Sequence, residues 1–258
     1  MVDAVGRFSL RGKLAVITGG TSGIGRAVAE HFASAGADVA VISRHREDCE
    51  QVASEIAGAY GVRAGGFACD VADETGVERA LDAIVTALGT PNVLFNNAGI
   101  NINGGALDLD FGDWKRMMAV NVDGVFLMAR AVARRLIAKG LPGSIVNMAS
   151  ISASIVNLPQ RQTAYNTSKA AVLHMTRTLA VEWVEHGIRV NAVSPGYVWT
   201  EMNQVVPREI ADFWMRATPY HRFATTDEIA SAALYFASDA STYTSGSELI
   251  VDGCFTCL

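Results

Sequence analysis

The sequence predicts an α/β fold in which a parallel sheet is covered by helices on both faces, and three observations carry that prediction. Short β-branched runs alternate with longer helix-like stretches, the runs are apolar almost throughout, and a glycine-rich turn joins the first run to the first helix.

Leu14 to Thr18 precedes the helical pattern Gly23 to Ala35, and Asp38 to Ser43 precedes Arg46 to Tyr60. Further runs follow at Val93 to Asn96, Ser144 to Ala149, Arg189 to Ser194 and Glu248 to Val251, each flanked by helix-like sequence. Strands that are apolar along their length are buried on both faces, as in a sheet wound from βαβ units. Glycines fall mainly at turns, and no linker, repeat or low-complexity tract divides the chain. The expectation is one doubly wound, Rossmann-type domain spanning residues 1–258.

Composition narrows the functions available. A chain of 258 residues that is 50% hydrophobic can bury one sizeable core. Its net charge of −5 leaves no basic excess to neutralise phosphates, so nucleic acid is not an expected partner. No apolar run reaches the roughly 20 residues that cross a bilayer. Met1 to Leu10 carries Asp3 and Arg7 and lacks the apolar core of a signal peptide, so the expected location is the cytosol, away from membranes. Cys49, Cys69, Cys254 and Cys257 are too scattered for a disulfide framework. Cys254-Phe-Thr-Cys257 has redox or zinc spacing but no second ligand pair, and reads as ordinary thiols. The histidines form no ligand pattern, and no metal is expected.

Thr18-Gly-Gly-Thr-Ser-Gly-Ile-Gly25 follows the first strand and opens a helix. Gly19, Gly23 and Gly25 permit a tight turn and close approach of backbone to a pyrophosphate, whose charge the helix N-terminus stabilises; Thr21, Ser22 and Ile24 complete the loop. An NAD site places an acid at the end of the second strand, about 20 residues on, to bind the ribose hydroxyls. Here the strand ends Val41-Ile-Ser43-Arg44, where Ser43 can donate to a 2′-phosphate and Arg44 can pair with it. NADP(H) is favoured over NAD(H).

Tyr165-Asn-Thr-Ser-Lys169 begins a helical stretch whose i, i+4 spacing puts Tyr165 and Lys169 on one face. A tyrosine pKa of about 10 is too high for an efficient base, so a nearby ammonium that favours phenolate is chemically useful. Ser150, at the end of the run from Ser144, can set a hydroxyl beside Tyr165 and polarise a carbonyl; Ser152 and Ser154 are neighbouring alternatives.

Thr18 to Gly25, Asn96-Asn-Ala-Gly99, Asn121, Ser150, Tyr165 with Lys169, and Pro195-Gly196 together resemble the short-chain dehydrogenase/reductase family over essentially the whole chain. That resemblance implies a seven-stranded parallel sheet, a nicotinamide cofactor, a small-molecule substrate and a homotetramer. Tyr165 would be the acid/base, Lys169 would bind the nicotinamide ribose and lower the tyrosine pKa, Ser150 would orient the carbonyl, and Asn121 would hold a water in a proton relay. The turn with Asn97, Ala98 and Gly99 would line the cofactor cleft. Asp70 and Val71, ending the third strand, would meet the adenine, and Pro195, Gly196, Val198 and Thr200 would contact the nicotinamide and its phosphates. Cys254 stands where many relatives have a second glycine, and the 14 residues between Ser150 and Tyr165 exceed the usual number, so the active-site rim should differ.

Ile155 to Tyr165 is similar to the same stretch of polyol and sugar dehydrogenases in the family, and Asn157 and Gln160 offer amides suited to a hydroxyl-rich substrate. A substrate lid is expected from Tyr197 to Thr218, where Met202, Val205, Val206, Phe213, Trp214 and Met215 can close over a ligand and exclude water. The alternatives are a 3-oxoacyl thioester reductase, which needs a basic approach surface, and a non-catalytic NADP(H)-binding sensor, which needs a broken tetrad.

Overall fold

The structure, a computed structural model, describes residues 3–204 and 206–257. In chain order the elements are β1 (Leu14–Thr18), α1 (Gly23–Ser34), β2 (Asp38–Ser43), α2 (Arg46–Tyr60), β3 (Ala64–Ala68), α3 (Glu74–Ala87) and β4 (Val93–Asn96). They continue with α4 (Phe111–Met118), α5 (Gly124–Lys139), β5 (Gly143–Met148), α6 (Thr163–Trp183), β6 (Ile188–Pro195), α7 (Glu201–Gln204), α8 (Arg208–Ala217), α9 (Thr226–Ala237) and β7 (Glu248–Val251).

The strands form one seven-stranded sheet in the order β3-β2-β1-β4-β5-β6-β7, every neighbouring pair parallel. Leu14 to Thr18 and Val93 to Asn96 are buried throughout, as continuous apolar runs require. One core layer packs Phe32 of α1, Ile56 of α2 and Phe236 of α9 against Ile17, Val41 and Phe95. The opposite layer packs Leu81 and Ile84 of α3 and Val132 and Leu136 of α5 against Val16, Leu94 and Ile145. The chain reverses direction across the sheet between β1 and β4, and a crevice opens beyond their carboxyl ends.

The apolar runs name six of the seven strands, and β3 escapes them for a physical reason. Its sequence is Ala-Gly-Gly-Phe-Ala, and a Cβ on Gly66 would lie 2.3 Å from the backbone of Cys49 and Glu50 in α2. Helix and strand pack backbone to backbone, so the position excludes the β-branched residue that marks a strand. Among the described residues no helix is long and apolar enough to cross a membrane.

Candidate active site

The crevice is built first from backbone. Gly19 and Gly23 adopt left-handed φ values of +62° and +52°, which turn the chain from β1 into α1. Gly25 is buried, and a Cβ there would sit 2.1 Å from the Gly19 carbonyl oxygen. Thr18 and Asn97 lock this turn to the end of β4. The Thr18 hydroxyl accepts from the backbone N–H of Asn97 at 2.9 Å and of Ala98 at 3.0 Å, while Asn97 Nδ2 donates to the carbonyls of Thr18 at 3.2 Å and Gly19 at 3.1 Å. Gly19, Ser22, Gly23, Ile24, Asn97, Ala98 and Gly99 line a cavity of about 620 Å³; Thr21 and Gly25 are outside its lining.

Ser150, Tyr165 and Lys169 line the same cavity, as do Pro195, Gly196, Val198 and Thr200. Ser150 caps a short turn, accepting from the Ser152 N–H at 3.1 Å, and lines the cavity with the Tyr165 phenol. The Lys169 ammonium lies 5.6 Å from the Tyr165 ring centre and donates to the Met148 carbonyl at 2.8 Å. Burial pulls that ammonium down from its ordinary 10.5 to about 8. Burial pushes the Tyr165 phenol above its ordinary value, with the nearby Ser150 hydroxyl acting against the rise. Desolvation of the ring sets the direction of this shift, and the Lys169 ammonium, with one donor on Met148, keeps two more for other partners.

Asn121 lies in a π-helical turn, Ala119–Asp123, which inserts between α4 and α5 and has no signature in the residue pattern. Its Oδ1 accepts from the Ile100 N–H at 2.8 Å, and its Nδ2 donates to the Ile100 carbonyl at 2.9 Å and to Ser168 Oγ at 3.0 Å. The side chain thus ties the turn after β4 to α6. Deeper still, Asn96 Nδ2 donates to Asn147 Oδ1 at 3.0 Å, and Asn147 Nδ2 donates to Thr176 Oγ1 at 2.9 Å. This buried polar chain fixes β4, β5 and α6 to one another beneath the site.

At the other end of the cavity the sequence reading places two amides, and both line it. Their polar atoms have protein partners. Asn157 Oδ1 accepts from Ser152 Oγ at 2.6 Å and Gln162 Nε2 at 2.9 Å, and Gln160 Oε1 accepts from Trp214 Nε1 at 3.0 Å. Both amides donate to the Tyr197 hydroxyl, each at 3.3 Å. Gln162 is a site residue to which the sequence assigned no role; Ser152 was named only as an alternative to Ser150, and Tyr197 only as the start of the lid segment that directly follows Pro195-Gly196.

Of the apolar residues in the segment from Tyr197 to Thr218, Val206 and Trp214 line the cavity, and Ile210 joins them. Phe213 is exposed, and Met215 is half-buried away from the cavity lining. Val205 lies outside the described residues, as does the side chain of Met202.

Ser43 and Arg44 stand at the end of β2, where Arg44 is exposed. Among the described residues Arg46 pairs with Glu50 at 3.3 Å, whereas no ion pair engages Arg44. Ser43 Oγ accepts from Cys49 Sγ at 3.2 Å. Arg44, Arg46, Asp70 and Arg79 border a smaller cleft of about 360 Å³, whereas Val71 is outside its lining and packs against Gly124 of α5. A loop in which a Cβ on Gly25 would strike backbone, followed by an unpaired guanidinium at the second strand end, fits a dinucleotide carrying an extra phosphate.

A family model described as enoyl-(acyl carrier protein) reductase matches residues 19–256. The chain is 46% identical to galactitol 2-dehydrogenase of Rhizobium johnstonii, over 97% of this chain and 98% of that protein. It is 40% identical to a sorbose reductase of Candida albicans, over 97% of this chain and 89% of that protein. The crystal structure of a gluconate 5-dehydrogenase from Burkholderia cenocepacia in complex with NADP and tartrate superposes with a TM-score of 0.94, at 35% identity and 99% coverage of both chains.

Proposed function

The chain belongs to the short-chain dehydrogenase/reductase family, and we propose that it interconverts a secondary alcohol and a ketone of a polyol/ketose pair by hydride transfer with NADP(H). The observation that carries this reading is a single cavity lined by both the glycine loop at β1 and the Ser150, Tyr165 and Lys169 side chains. Relatives named for galactitol and sorbose support the polyol, and the NADP complex of a gluconate dehydrogenase supports the cofactor.

When bound, NADP(H) supplies or takes the hydride at the alcohol carbon. The remaining chemistry belongs to the chain. Tyr165, which burial favours as the phenol, donates its proton to the ketone oxygen in reduction and is left as phenolate; in oxidation that phenolate takes the alcohol proton and returns to the phenol. Ser150 donates to the same oxygen and fixes its position. Lys169 adds positive charge behind the phenol and a donor for the ribose, and Asn121 braces the turn that carries Gly99. Gly19 to Gly25, Asn97, Ala98, Pro195, Gly196, Val198 and Thr200 hold the dinucleotide. Ser43 and Arg44 take its 2′-phosphate, and Asp70 and Val71 border its adenine. The segment from Tyr197 to Thr218 closes the other side and excludes water.

A single domain acting as a cytosolic homotetramer completes the proposal. Besides the family resemblance, exposed apolar side chains support the oligomer: Phe111 on α4, Phe126 on α5, and Leu249 and Ile250 on β7. The test of the activity is a spectrophotometric screen of sugar alcohols, ketoses and an acetoacetyl thioester with NADP(H) and NAD(H). Turnover of a polyol/ketose pair with preference for NADP(H) is expected; turnover of the thioester alone would overturn the proposal.

A further inference from the structure

The hydroxyl of Tyr197 sits at the centre of a set of directional constraints. Trp214 Nε1 is a donor only, and its bond to Gln160 Oε1 at 3.0 Å fixes which way the Gln160 amide faces. Gln160 must then present its NH₂ to Tyr197. Asn157 turns its Oδ1 to Ser152 Oγ and Gln162 Nε2 and its Nδ2 to the same phenol. Two N–H donors therefore converge on one phenol oxygen, each at 3.3 Å.

A phenol oxygen accepting two hydrogen bonds has its own proton left to give, and among the described residues no acceptor takes it. The ring cannot swing to find one. It stacks on Trp214 with ring centres 4.2 Å apart and planes 10° from parallel, and Phe255 meets it edge-on at 5.3 Å. Burial raises the Tyr197 pKa, so the group remains a phenol at neutral pH.

Taking the proposed polyol/ketose reaction as its premise, we infer that Tyr197 is a specificity-determining residue whose hydroxyl donates to a substrate hydroxyl oxygen remote from the reacting carbon. Asn157 and Gln160 are positioning residues that aim this donor. A site with one committed donor rewards a substrate that brings an oxygen to it and leaves the donor unpaired with a plain ketone, which is how a hydrogen-bonding site rejects analogues.

Two variants test the inference by different routes. Tyr197→Phe removes the oxygen and keeps the ring on Trp214. Gln160→Glu keeps the Tyr197 oxygen but reverses its bond, since one carboxylate oxygen still accepts from Trp214 and the other accepts the phenol proton. Each should lower the ratio of kcat/KM for a ketose to that for an unsubstituted cyclic ketone by roughly 5- to 100-fold, and the double variant should lose no more than either alone. The loss should appear largely in KM. A parent enzyme that prefers the ketose, with that ratio unchanged in both variants, would overturn the inference and leave the proposed function standing. Equal losses on the two substrates would assign Tyr197 to packing and overturn it as well. A parent that turns over no ketose or polyol would overturn the proposed function and the inference together.

Discussion

The two ends of the cavity are made of different material. At the nucleotide end the lining is backbone: glycines in left-handed conformations, carbonyls tied by Asn97, and a helix start. At the substrate end it is side chain: amides of Asn157, Gln160 and Gln162, hydroxyls of Ser152 and Tyr197, and the Trp214 indole. A dinucleotide is the same molecule in every reaction of this kind, so a fixed backbone cradle suffices. A substrate is recognised by where its oxygens lie, and side chains can be exchanged to match. The nucleotide end should therefore tolerate truncation of side chains but not the addition of a Cβ, and the substrate end the reverse.

The strongest probe stands where the two ends meet. Tyr165→Phe should lower turnover by about 10²–10⁴-fold on every substrate while NADPH affinity, read by fluorescence titration, stays near that of the parent. A parallel loss of NADPH binding would mean that the junction belongs to the nucleotide end. Lys169 tests the same junction through pH. Its folded pKa of about 8 lies below the ordinary 10.5, so the unfolded chain holds more protons between those values and folding stability attributable to Lys169 rises with pH across that window. Relative to Lys169→Met, the parent should gain up to about 3 kcal/mol between pH 8 and 10.5 in urea unfolding. A constant difference would show that the ammonium is not desolvated.

Within the nucleotide end, Gly25→Ala places a Cβ 2.1 Å from the Gly19 carbonyl and forces the loop to move. NADPH binding should weaken by about 1–3 kcal/mol, whereas Ser22→Ala should change it little. If the serine mattered more than the glycine, the contrast between the two ends would fail. Arg44→Ala marks the exception, a side chain that reads the cofactor. It should cost about 1.5 kcal/mol in NADPH affinity and nothing measurable for NADH.

The same division explains what the sequence could disclose. The nucleotide end is local: Thr18 to Gly25 lies within one turn of chain, and its glycines advertise the backbone geometry they permit. The pair Tyr165 and Lys169 is local too, one helical turn apart. The substrate end is assembled from distant segments. Gln160 meets Tyr197 across 37 residues and Trp214 across 54, and no local pattern marks either contact. Asn157 and Gln160 were identifiable as polar groups near the site, and both line the cavity, but their partners Ser152, Gln162, Tyr197 and Trp214 were not legible. The Asn96–Asn147–Thr176 chain is hidden for the same reason, with separations of 51 and 29 residues. The apolar runs pass over β3 for another reason: at Gly66 close packing on α2 excludes the β-branched residues by which strands announce themselves.

The central claim is that one cavity carries hydride from NADP(H) to a ketose carbonyl with Tyr165 supplying the proton. Its most direct test is mass analysis of product formed with NADPH carrying deuterium at the reactive nicotinamide carbon. A ketose offered to the parent should return as a polyol with a single deuterium on the former carbonyl carbon, and Tyr165→Phe should form that product at least about 10²-fold more slowly. An unlabelled ketose recovered unchanged, with deuterium appearing instead in the 3-hydroxy product of an acetoacetyl thioester, would contradict the account.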